Sequence, residues 1–141
     1  MRCARALMLW CTAALLAWLL AGDAGAQGTL PKVKLISPTE GMIVPAGDIK
    51  VVMSVTGATL LPADNTHDPK TGHFHLYLDK VPEPGKPIPQ GVDGIWHWPE
   101  TTFTVKRVSP GVHTLVLVWA YGDHVPFSPW VSDTVMFEAR P

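Results

Sequence analysis

The octet Gly72-His73-Phe74-His75-Leu76-Tyr77-Leu78-Asp79 constrains this chain more than any other stretch. Phe74, Leu76 and Leu78 alternate with His73, His75, Tyr77 and Asp79, and a period of two places the two sets on opposite faces of an extended strand. With a rise of about 3.3 Å per residue, the two imidazoles stand about 6.6 Å apart along one face. One face is thus apolar enough to bury, and the other opens with a pair of metal-ligating side chains.

Elsewhere, short runs of β-branched and aromatic residues alternate with Pro and Gly, and no segment carries a helical period. These runs predict strands over 32–36, 49–55, 73–79, 103–108, 112–121 and 131–139. The stretch Pro82-Glu83-Pro84-Gly85-Lys86-Pro87-Ile88-Pro89 cannot lie inside a sheet, because proline lacks the ladder donor. It is expected as an extended connection crossing between sheets. Strands at this spacing predict an all-β chain, an immunoglobulin-like antiparallel β-sandwich of about seven strands. In that topology the strand at 73–79 runs antiparallel to the long one at 112–121. The loop carrying His67 and the loop carrying Asp123 and His124 then meet where the histidine strand begins. His113 falls at the opposite end, beside Asp79.

The first 26 residues read as an export signal: Arg2 and Arg5, an apolar run from Leu7 to Leu20, and the small-x-small site Ala24-Gly25-Ala26. The rival reading is an uncleaved anchor, and membrane contact is expected only if this segment is retained. Cleavage would leave residues 27–141 as one domain, periplasmic or secreted. Both cysteines, Cys3 and Cys11, lie in the leader, so the mature chain has neither a disulfide nor a thiolate ligand. Removing Arg2, Arg5 and Asp23 from 11 basic and 12 acidic residues leaves nine and eleven. A mildly acidic domain excludes nucleic acid, which demands a basic face.

All six histidines lie in the mature part. His73 and His75, with His124 from the facing loop, form the first candidate site, since neutral imidazole is the commonest ligand for zinc and copper. Without cysteine the donors are nitrogen and oxygen, which suits Cu(II), Zn or Ni. The bland alternative is two polar residues on a solvated sheet face. His97, between Trp96 and Trp98, is the natural fourth ligand or else hydrogen-bonds a neighbouring loop. Asp123, His67 and Asp79 are candidates for supporting carboxylate contacts or an extra ligand, although an Asp at a strand end more often caps a turn. His113, in Ser109-Pro110-Gly111-Val112-His113, sits where such sandwiches place a corner tyrosine, and a structural role there fits best.

Trp96, Trp98, Tyr121, Phe127 and Trp130 fall in or near loops. Phe127 and Trp130 flank Pro126 and Pro129 and are the members expected to be exposed, as a surface for an envelope protein partner. No G-x-S-x-G or H-E-x-x-H motif and no mature cysteine points to an enzyme. Water activation at a metal with an open position is the one catalytic route the residues allow.

At Gly72, His73, His75, Leu76 and Asp79, then His97, then Pro110, Gly111, His113, Thr114 and Leu115, then Asp123 and His124, the chain resembles a group of small exported bacterial domains of unknown function. Those domains combine a G-H-x-H-L-x-x-D strand, an isolated histidine, a P-G-x-H-T-L corner and a late D-H. The likeness covers nearly all of the mature chain. It implies the sandwich fold and the grouping of histidines, but no reaction. This chain keeps Phe74 where some of that group carry a third consecutive histidine. More distantly, the opening turn Ser37-Pro38-x-x-Gly41 is similar to that of CopC-like copper carriers, whose N-terminal histidine ligand is absent here. The sequence therefore points to an exported, non-catalytic protein holding a divalent transition metal, copper before zinc, through His73, His75, His124 and His97. The alternative is an accessory or structural subunit of an envelope or membrane complex, with no metal.

Overall fold

A computed structural model describes residues 29–141; the leader expected over 1–26, its cysteines and the cleavage site lie outside the described residues. Each run of β-branched and aromatic residues becomes a strand. In chain order these are β1 (Lys32–Ser37), β2 (Met42–Pro45), β3 (Gly47–Thr56), β4 (Thr59–Leu60), β5 (Thr71–Leu78), β6 (Ile95–Trp98), β7 (Thr102–Val108), β8 (Gly111–Ala120) and β9 (Ser132–Arg140). The six predicted strands are all present. The three additional ones, β2, β4 and β6, have two to four residues each, too few to establish an alternation.

Two sheets pack face to face as an immunoglobulin-like sandwich. One has the order β1-β3-β7; the other has β2-β9-β8-β5-β4, with β6 also paired to β5. The polypeptide changes sheet at the turn between β1 and β2, where Gly41 adopts φ 70°, a conformation that favours glycine. β2 then adds to β9 in parallel. Between the sheets lie Leu35, Val51, Met53, Phe74, Leu76, Val105, Leu115, Leu117 and Trp119, all nearly or fully buried. Each such side chain contributes about 1.5–3 kcal/mol relative to leaving it exposed, so this core supports the fold without covalent staples.

β5 is the pivot of the larger sheet. It pairs antiparallel with β8, His73 opposite Ala120 and His75 opposite Val118. On its other edge it pairs with β6, His75 directly opposite His97. Every residue from Gly72 to Tyr77 is buried, including those on the outer face. Two loops cover that face. The Pro-rich segment between β5 and β6 lays Ile88 against Tyr77, Val118 and Ala120, forming a second, smaller apolar cluster. The loop after β8 brings His124 over the same surface, and the main-chain N–H of Ile88 donates to the His124 carbonyl at 2.9 Å.

The Pro-rich segment therefore does not cross between sheets as expected. It begins at β5, ends at its neighbour β6, and folds back as a strap over the sheet it left. Proline bars it from the ladder but not from the face, where the chain turns at Gly85, with φ 72°, and needs few donors.

Gly72 shows why the octet opens with glycine. A methyl group there would lie 2.8 Å from Trp119 Cε2 and would also meet the carbonyl oxygen of Ala120. The strand start is pressed against β8 so closely that no side chain fits.

Candidate metal centre

The alternation of β5 sends the rings of His73 and His75 outward, beneath the strap and the post-β8 loop. They are 1% and 0% exposed. The solvated-face reading of this pair is thus overturned: two loops cover a face that the strand alone would leave open. His97 reaches the same spot because β6 repeats the alternation of β5. Trp96 and Trp98 turn to the core, and His97 turns out beside its cross-strand partner His75. His124 arrives from the loop, at a residue with φ 66°.

The four rings converge. His124 Nδ1 lies 3.1 Å from His73 Nε2, 3.3 Å from His75 Nε2 and 2.9 Å from His97 Nδ1. One ring nitrogen from each of the four histidines falls within 4.8 Å of all the others. Hydrogen bonding alone cannot account for this. A ring nitrogen offers one lone pair or one N–H, so His124 Nδ1 can satisfy one neighbour and not three. The far nitrogens differ in their surroundings. His97 Nε2 donates to the Pro89 carbonyl at 3.0 Å, which leaves Nδ1 as the lone-pair atom facing the cluster. The Nδ1 atoms of His73 and His75 are buried and have no hydrogen-bond partner among the described residues.

The electrostatics favour neutral rings. Burial, then the nearby His124 and His97, pulls the pKa of His73 down to about 4. His75 is driven well below the usual range by burial and by His73, His97 and His124. Burial and His97 also lower His124, against the opposing pull of Asp123. Neutral imidazole is the form that ligates metal, and this cluster can hold a metal ion.

The remaining sequence candidates stand outside it. His67 Nδ1 pairs with Asp123 Oδ2 at 2.8 Å, and its ring stacks on Tyr121 at 3.7 Å between centroids. Asp123 also accepts from the Val125 N–H. Partial burial pulls its pKa up, but the His67 and Val125 hydrogen bonds outweigh that and hold it low. The pair shapes the loop that carries His124 and supplies no atom to the four-nitrogen cluster.

Asp79 lies at the far end, where His113 donates from Nδ1 to Asp79 Oδ2 at 2.6 Å and from Nε2 to the Ser109 carbonyl at 2.8 Å. Asp79 Oδ1 in turn accepts from the Thr114 N–H. Two acceptors call for two ring N–H groups, hence imidazolium. Burial opposes that charge, but the Asp79 and Ser109 bonds prevail and the His113 pKa is raised.

Phe127 is not exposed as expected. It is 2% exposed and stacks on Tyr121 at 3.9 Å, because the loop folds inward and uses it as a core plug. Trp130 is half-buried against the smaller apolar cluster. The strap's Ile88 and Pro89, which touch two of the four histidines, were not singled out from the sequence. The one available signal was an apolar isoleucine among the prolines.

Fold and cluster together define a class: an immunoglobulin-like β-sandwich with a partly buried four-histidine cluster on the outer face of its larger sheet. The chain belongs to the DUF4399 family, a domain of unknown function, whose family model matches residues 51–139 and so takes in all four histidines. Among solved structures it is similar to the fibronectin(III)-like modules of CbhA from Clostridium thermocellum, at 13% identity and a TM-score of 0.46, covering 77% of this chain and 95% of that one. An engineered protein is similar at 14% identity and a TM-score of 0.46, over 81% of this chain and 21% of the other. No curated protein matches.

Proposed function

We propose that this chain is an exported, non-catalytic binding protein that holds a divalent transition metal, copper before zinc, through His73, His75, His97 and His124. The observation that carries the reading is the convergence of three ring nitrogens on His124 Nδ1 at 2.9–3.3 Å. Metal–nitrogen bonds of about 2.0–2.1 Å place tetrahedral ligand atoms about 3.4 Å apart, close to this spacing. An all-imidazole donor set without thiolate or carboxylate suits copper and zinc, and copper stands highest in the divalent series.

Four protein ligands also make a closed site. Catalytic centres keep a position open for water or substrate, so holding or delivering the ion fits better than turnover. The N-terminal leader, read from the sequence, supports export.

Titration of the purified chain with Cu(II) and Zn(II), repeated on a His73→Ala/His75→Ala variant, tests the proposal. Saturable one-to-one binding that the double variant loses is expected. Affinity no greater than that of an exposed H-x-H peptide would sink it. Stoichiometric co-purification of another envelope protein with the metal-free chain would favour an accessory subunit instead.

A further inference from the structure

We propose that the Ile88–Pro89 step of the strap positions the two outer ligands of this centre and is the door through which its ion passes. The inference rests on the metal-binding reading and adds to it a route and a control point.

The four ligands are not held alike. His73 and His75 belong to β5, whose Gly72–Tyr77 stretch is wholly buried, and neither ring reaches solvent. His97 and His124 are only partly buried, so an ion from solution meets them first. Both are tied to one dipeptide. The Ile88 N–H donates to the His124 carbonyl at 2.9 Å, and the Pro89 carbonyl accepts from His97 Nε2 at 3.0 Å. The first bond fixes where the His124 backbone sits. The second fixes the His97 tautomer, turning the Nδ1 lone pair toward the cluster.

The strap is otherwise lightly attached. Between Val81 and Gly91 the Ile88 bond is its one main-chain hydrogen bond to the rest of the fold among the described residues. It is held besides by the Pro89 carbonyl's bond to His97, by Pro82, which is buried, and by the Ile88 side chain, 5% exposed and seated on Tyr77, Val118 and Ala120. Beside that anchor is a cavity of about 290 Å³ lined by Tyr77, Val81, Ile88 and Ile95 among others, which leaves the side chain room to move. One main-chain bond and two apolar anchors, Pro82 and Ile88, on an otherwise exposed stretch describe a segment that opens at low cost. Lifting it removes the support of His97 and His124 together, while His73 and His75 stay fixed on β5.

Chelator-driven release of Cu(II) or Zn(II), followed by stopped flow on the full chain and on Ile88→Ala, reads the door directly. Loss of a group supporting a ligand typically costs about 10- to 100-fold in metal affinity. Release from Ile88→Ala should therefore be faster by about that factor, with Ile88→Val near wild type. His113→Ala, which weakens the fold at the opposite end, should leave the rate unchanged. Amide exchange of wild-type protein supplies a readout that needs no variant: metal should slow exchange at Ile88 and His124 more than at Val51 in the opposite sheet. Wild-type release kinetics in folded Ile88→Ala, or exchange at Ile88 indifferent to metal, would overturn the door while leaving the metal site standing. A wild-type chain that binds no ion would overturn both, and the two failures are told apart by the wild-type titration alone.

Discussion

At one end of the β5–β8 pair, His113 lies between the Asp79 carboxylate at 2.6 Å and the Ser109 carbonyl at 2.8 Å. At the other end, His73, His75 and His97 crowd the Nδ1 of His124 at 2.9–3.3 Å. The residue type is the same, and each end includes a histidine buried on the β5–β8 pair. Their partners differ. His113 has an acceptor on each ring nitrogen and is complete as a structural cation. The four-histidine end has no carboxylate within the cluster and directs ring nitrogens at one another, an arrangement that a bound cation would complete. A buried imidazole is structural when the protein supplies acceptors for both nitrogens, and available when it does not.

Removing one ligand should break this contrast most strongly. Structural zinc sites are worth about 10–16 kcal/mol over four ligands, so His75→Ala should weaken metal affinity by about a hundred- to a thousand-fold, as measured by competition against a chromophoric chelator. His113→Ala should leave that affinity unaltered. If the two variants bind metal equally well, the contrast collapses.

The second effect is the converse. His113→Ala removes charge-assisted bonds worth about 1.5–3 kcal/mol and should lower the urea-unfolding free energy of the metal-free protein by about 2 kcal/mol.

The pH dependences of the two ends should have opposite signs. The folded pKa of His73 is depressed from 6.5 to about 4, so in that interval the unfolded chain takes up a proton that the folded chain refuses. Stability of the metal-free protein should therefore fall on acidification, with a slope approaching about 1.4 kcal/mol per pH unit from this residue. His113 is raised instead. Its contribution is complete below the unfolded pKa near 6.5 and is lost as pH rises through the folded value. Urea unfolding of His113→Gln against wild type, repeated across pH, should show a difference that shrinks on the alkaline side; a growing difference would reverse the assignment.

The smallest change is expected at the margin between the ends and solvent. The His67–Asp123 pair is largely exposed on the histidine side, and such pairs contribute about 0–1 kcal/mol. His67→Ala should therefore lower stability by less than about 1 kcal/mol and leave metal affinity within a few-fold of wild type. A large loss of affinity would promote His67 from loop support to ligand.

Much of this was legible in the residues. The alternation at 72–79 and the antiparallel pairing of its strand with 112–121 place His124 near His73 and send His113 to Asp79. The burial of the histidine face was not legible, because it depends on a strap whose prolines say where it cannot lie and not where it goes. The position of His97 was hidden for the same reason. Four residues at 95–98 are too short to announce a strand, and the connection before them gives no register. Phe127 misled because flanking prolines mark a loop, while the direction in which a loop folds is decided by the core it meets.

Gly72 carries a lesson for anyone scanning variants of this chain. It has no side chain and binds nothing, yet any replacement would drive a methyl group into Trp119 and the Ala120 carbonyl. A saturation screen scored on metal retention would flag position 72 as sharply as position 73. Only a parallel screen scored on folding alone would separate the residue that makes room from the residue that reaches the ion.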